Sequence, residues 1–113
     1  MILAEVIGTV VAQAEAIPAL HGRTLLLVRP VTPEGVAVQP KPRVAIDTVG
    51  AGVGDRVLVI DEGNSGRQIL GAPDAPVKTL IVGFVDEVEV RGKVVYDHRT
   101  GSAKAESLEE VNR

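Results

Sequence analysis

Ile2-Leu3-Ala4-Glu5-Val6-Ile7-Gly8-Thr9-Val10-Val11-Ala12-Gln13 separates into two alternating sets. Ile2, Ala4, Val6, Gly8, Val10 and Ala12 are all apolar or small, whereas Leu3, Glu5, Ile7, Thr9, Val11 and Gln13 are mixed. Side chains on a strand alternate between its faces, so this spacing predicts a long strand over residues 2–13 with one face in a core. Gly8 brings no side chain to the middle of that strand. It predicts a bend or bulge of the kind that carries a strand around a barrel corner.

Outward from this segment, Ala14 to Gly22 reads as a loop containing Pro18, and Thr24 to Arg29 as a second strand stopped by Pro30. Pro33-Glu34-Gly35 is a turn signal, and Pro40 and Pro42 flank a piece of chain that cannot donate fully to a ladder, which predicts an extended excursion or hairpin. Val44 to Thr48 and Arg56 to Ile60 are further strands, joined by the glycine-rich Gly50-Ala51-Gly52-Val53-Gly54. Asn64 or Ser65 caps a short helix through Leu70, with Gly71 at its C′ position and Pro73 as a stop. Leu80 to Val90 reads as one strand, and Arg91-Gly92 as a two-residue turn into Lys93 to Tyr96. Beyond His98 the chain is polar, with too few apolar groups in Gly101 to Arg113 to offset the entropy of ordering them. Five or six short strands with one short helix predict an all-β fold, a small closed barrel of the OB-like kind.

Composition sets the outer bounds. The 113 residues suffice for one domain. The net charge is −3 and the only aromatic residues are Phe84 and Tyr96. A nucleic-acid site on an OB-like barrel needs a basic groove with stacking aromatics, so nucleic acid is excluded as a partner. The chain has 20 valines, which favours pleated strands over helices. Its 45% hydrophobic fraction and 12 glycines exceed what one small core uses, so some apolar surface should be buried against another chain. Absence of cysteine removes disulfides, thiolate metal sites and cysteine nucleophiles. The N-terminus has no basic region and meets Glu5 at once, and no apolar run approaches a membrane span, which makes a cytoplasmic protein without a membrane partner the expectation.

No motif carries catalysis. In the glycine run the third glycine arrives one residue too early for a dinucleotide loop, and Asp55-Arg56 and a strand follow where a helix N-terminus is needed. His21 and His98 lie in polar loop-like stretches with no acidic partner at a useful spacing. Asp47 and Asp61 mark strand ends and Asp86-Glu87 ends the apolar part of another strand, where charges terminate ladders or meet partners. Ser65, in Asn64-Ser65-Gly66-Arg67, is not in a nucleophile elbow. Arg67 is placed either to reach a neighbouring carboxylate or carbonyl or to stand free on the surface.

Five blocks, Leu3 to Ala12, Leu25 to Pro30, Val44 to Val59, Gly63 to Arg67 and Ala75 to Val85, occur in the order in which they resemble the EutN/CcmL family. The most specific is Asp47-Thr48-Val49-Gly50-Ala51-Gly52-Val53-Gly54-Asp55 and the strand after it. The resemblance runs from about Met1 to Glu87. It implies a five-stranded OB-like barrel over residues 1–87, with 88–113 a C-terminal hairpin and mobile tail. It also implies a structural, non-enzymatic role without cofactor or metal: a homopentamer that caps the vertices of a bacterial microcompartment shell, carboxysome or metabolosome, and binds hexameric shell proteins edge to edge. Two turns then become candidates for the axial pore or a subunit interface, because five copies meeting on an axis leave little room for side chains. They are Gly50, Ala51, Gly52 and Gly54 in the first, and Asn64, Ser65, Gly66 and Arg67 in the second. Two other readings predict different features: a ligand-binding OB module should show a basic or aromatic groove, and a small enzyme a pocket of converging polar groups.

Overall fold

The computed structural model describes residues 1–13, 17–38, 41–61, 69–71 and 79–100. Five strands, β1 (Ile2–Val10), β2 (Thr24–Pro30), β3 (Arg43–Asp47), β4 (Arg56–Asp61) and β5 (Thr79–Phe84), close into a barrel in the order β1-β2-β3-β5-β4. Strands β6 (Glu87–Val90) and β7 (Lys93–Asp97) form a separate two-stranded sheet. The expected all-β barrel is therefore present.

Short aliphatic side chains make closure possible at this size. Ala4, Val6, Leu26, Val28, Ala45, Val57, Val59 and Ile81 form the interior cluster, contributed by every barrel strand and containing no ring. A five-stranded barrel encloses so little volume that side chains alone fill it. Two irregularities help the wall curve: the β1–β2 register shifts between Val6 and Gly8, and the β4–β5 register between Leu58 and Val59. The first is the bulge that Gly8 predicts.

The barrel closes through a parallel pairing of β3 with β5, where Ile46 faces Leu80 and Asp47 faces Ile81. Ile46 and Leu80 are buried in a second cluster, against which Leu20, Leu25, Leu70 and Val82 pack. Leu20 ends a short 3-10 helix, Pro18–Leu20, inside the segment read from sequence as loop. Of the expected helix through Leu70, Ile69 and Leu70 are helical and Gly71 follows at φ +65°, as a C′ glycine should. Its proposed caps, Asn64 and Ser65, lie outside the described residues.

Two expectations need correction. The first strand stops at Val10, because its partner on β2 begins at Leu25, opposite Val10. The single strand expected over Leu80 to Val90 is two: β5 ends at Phe84, and Val85, whose amide bonds to the Arg56 carbonyl at 3.0 Å, begins the turn out of the barrel. The hairpin itself forms around Arg91 and Gly92, both at positive φ as a tight two-residue turn requires. Among the described residues its ladder joins β6 only to β7, so it does not extend a barrel sheet by main-chain bonds. Tail residues 101–113 lie outside the described residues.

Candidate functional site

The glycine-rich loop between β3 and β4 is organised by two carboxylates. Asp47 accepts from the amides of Val49 at 3.1 Å and of Gly50 and Ala51 at 3.0 Å each. Asp55 accepts from the Gly52 amide at 2.7 Å. Gly54 donates to the Val6 carbonyl at 2.8 Å and Val6 donates to that of Asp55 at 2.9 Å, which ties the loop to β1 beside its bulge. The loop amides that would cradle a phosphate are thus spent on fixed negative charges, and a phosphate would meet those charges at once. This arrangement supports a rigid surface turn and excludes a dinucleotide site.

Gly50, Ala51, Gly52 and Gly54 lie together in that turn; Asn64, Ser65, Gly66 and Arg67 lie outside the described residues. The glycines differ in what they require. Gly50 and Gly54 hold φ of +80° and +95° with open space around a hypothetical Cβ, so their constraint is conformational. Gly52 has no such φ, and its nearest neighbour, Asp55 Oδ2, would stand at an ordinary 3.8 Å. Within one chain nothing demands glycine at position 52.

A shallow groove of about 390 Å³ lies at the start of β1, lined by Met1, Leu3, Pro30, Val31 and Val38, with Arg43 and Asp61 at its edge. Arg43 is ion-paired with Asp61, whose other oxygen accepts from Thr79 Oγ1 at 3.0 Å. The polar groups here satisfy one another and do not converge on a reacting atom. His21 and His98 are exposed, the latter edge-on to Phe84 at 4.4 Å between ring centroids. No group of three His, Asp or Glu side chains suited to a metal occurs among the described residues.

Sequence reasoning missed the outer face of β1, β2 and β4. Arg29, Glu5 and Arg56 form one row across these strands, and Arg29 Nη2 bonds Glu5 Oε1 at 2.9 Å. Arg56 is buried, with its guanidinium carbon 4.4 Å from the centre of the Tyr96 ring. Burial raises the Tyr96 phenol above its usual range, and a backbone hydrogen bond with Arg56 and the Arg56 charge oppose that rise. The one tyrosine is therefore inside the molecule and offers no stacking platform to a base. Apolar groups do reach the surface: Ile7, Val11, Val36, Val38, Val44, Val49 and Val53 are all exposed.

Residues 1–86 match the family model described as ethanolamine utilisation protein EutN/carboxysome. The chain belongs to the EutN/CcmL family. The carboxysome shell vertex protein CcmL of Synechococcus elongatus is 37% identical over 102 residues, covering 90% of this chain and 100% of its own. The bacterial microcompartment shell vertex protein PduN of Salmonella typhimurium is 42% identical over 89 residues, 76% of this chain and 96% of its own. Among solved structures, the GrpN pentameric microcompartment shell protein of Rhodospirillum rubrum superposes with a TM-score of 0.68 at 38% identity, covering 80% of this chain and 99% of its own. The match to the Synechococcus EutN/CcmL protein is longer than residues 1–86, so relatedness continues past the family model toward the hairpin.

Proposed function

We propose that this EutN/CcmL protein is a shell component and not an enzyme. It assembles as a head-to-tail homopentamer at the vertices of a bacterial microcompartment in the cytoplasm. The observation that carries this reading is the likeness of the chain, over nearly the full length of the other, to a pentameric shell protein. Its mechanism is geometric. A flat layer of hexagonal tiles cannot close, and a five-fold unit at each corner supplies the missing curvature when its edges bind the hexameric neighbours. A cyclic ring of this type uses two different patches on each copy. The exposed aliphatic groups around the glycine loop and around the Met1 groove supply such surface. Residues 1–87 are the ring-forming domain in this reading, and 88–113 an appendage to it.

Native mass spectrometry of the purified chain at micromolar concentration tests the ring. Five copies of an 11.8 kDa chain give a species of 59 kDa. A stable monomer, dimer or hexamer would remove the five-fold geometry on which the role depends. Co-expression with hexameric shell proteins tests the edge contact: closed particles should form with this chain and open sheets or tubes without it.

A further inference from the structure

Among the described residues, the turn between Val31 and Ala37 and the hairpin β6–β7 both lie outside the barrel wall and come to rest on one side chain. Val57, next to Arg56 on β4, is completely buried in the interior, so Arg56 is directed to the outside of the wall, yet it is only 3% exposed. The Tyr96 ring covers it from the hairpin at 4.4 Å. From the other segment comes Gly35, at φ +92°, so near that a Cβ there would stand 2.9 Å from Arg56 Nη2. Nε and Nη1 of Arg56 are buried without a hydrogen-bond partner among the described residues. Glu5, its neighbour across the β1–β4 ladder, bonds Arg29.

A buried guanidinium with no bonded carboxylate is costly unless something else stabilises its charge, and here the π face of Tyr96 lies over it. The hairpin needs a hold of this kind. A two-stranded sheet is marginal by itself, and this one adds no rungs to the barrel among the described residues. Its base is fastened at Val85, whose amide reaches the Arg56 carbonyl, and at His98, whose amide bonds the Asp86 carbonyl at 2.8 Å. The first joins hairpin to barrel at one point, and the second only joins the two legs of the hairpin to each other.

We propose that Arg56 is a positioning residue that fixes the hairpin's pose on the barrel by clamping Tyr96 on one side and the Gly35 turn on the other. Resting on the pentamer reading above, this pose is the one in which the ring closes.

Amide hydrogen exchange on the full chain, read strand by strand, tests the clamp. Tyr96→Leu removes the π face and keeps apolar bulk; it should speed exchange in β6 and β7 at least tenfold and leave β1 to β5 unchanged. Tyr96→Phe keeps the face and should behave as the natural chain. Exchange in the hairpin that is unchanged by Tyr96→Leu, or that rises equally in hairpin and barrel, overturns the proposal, since Tyr96 would then be ordinary core. If Tyr96→Leu does not fold, Arg56→Met removes the charge at similar length and must loosen the hairpin selectively; retained protection overturns the clamp. Native mass then tests the second part. Should the natural chain be pentameric, Tyr96→Leu should shift it to smaller species, and a full pentamer with a loosened hairpin would show that closure is independent of the pose. Should the natural chain not be pentameric, the vertex reading fails, while the exchange pattern still decides the clamp.

Discussion

Ile46 and Leu80 face each other across the parallel rung that closes the barrel, and both are buried although each sits beside a neighbour that points into the interior. Parallel pairs are usually covered on both faces. Here Leu20 and Leu70 provide the outer cover.

Leu80→Ala should therefore cost about 2–5 kcal/mol, because it opens a cavity under that cover. Val44→Ala, at an exposed position on β3, should change stability by no more than about 0.5 kcal/mol. Urea unfolding of both variants makes the comparison; equal costs would mean that the outer cluster does not contribute to closure.

Asp47 is the acceptor for three loop amides, two of which are on exposed residues where water can replace it. Asp47→Ala should cost about 1–2 kcal/mol, the range of a lost cap and not three times that. Amides of Val49, Gly50 and Ala51 should exchange faster, with Asp47→Asn intermediate. Unaltered exchange would show that other contacts hold the turn.

Gly54→Ala must adopt a left-handed conformation and should lose about 1–2 kcal/mol. Gly52→Ala has both room and an ordinary backbone, and should be within about 0.5 kcal/mol of the natural chain. Gly52→Trp is the informative change. Its barrel should unfold at the same urea concentration, while native mass should show a reduced 59 kDa population if the loop meets its copies near the axis; an intact pentamer places the loop elsewhere.

Burial holds the Tyr96 phenol above its ordinary 10.0. The unfolded chain therefore releases this proton first, and above about pH 10 the folded state binds more protons than the unfolded one. Stability from this group is complete below that pH and is lost as pH rises toward the folded value. Tyr96→Phe should flatten the alkaline fall in urea midpoint relative to the natural chain. Identical slopes would mean that the phenol ionises alike in both states.

The interior of the barrel was legible because its pattern is local. Ala4 and Val6 alternate with Glu5 and Ile7, and Gly8 marks its own bulge. Glycine and proline punctuation likewise located the Gly35 turn, Gly71 and the Arg91-Gly92 hairpin. What was hidden depends on partners distant in sequence. Asp47 reads as a strand-end charge until the three amides that follow are folded back onto it. Arg56 reads as the charged first residue of an apolar strand, and nothing near it in sequence announces Gly35 or Tyr96. The break after Phe84 was hidden for the same reason: valines at 82, 85, 88 and 90 continue a strand-like composition past the end of β5, where the Val85 amide bonds the distant Arg56 carbonyl.

The interior contains no ring, the chain has no tryptophan, and its single tyrosine lies over Arg56 at the root of the hairpin. Ultraviolet emission excited at wavelengths that tyrosine absorbs and phenylalanine does not therefore originates at that one contact. Phe84 on β5 does not contribute at those wavelengths, and a change in the signal during heating, dilution or mixing with a shell partner reports on the hairpin root without any attached dye.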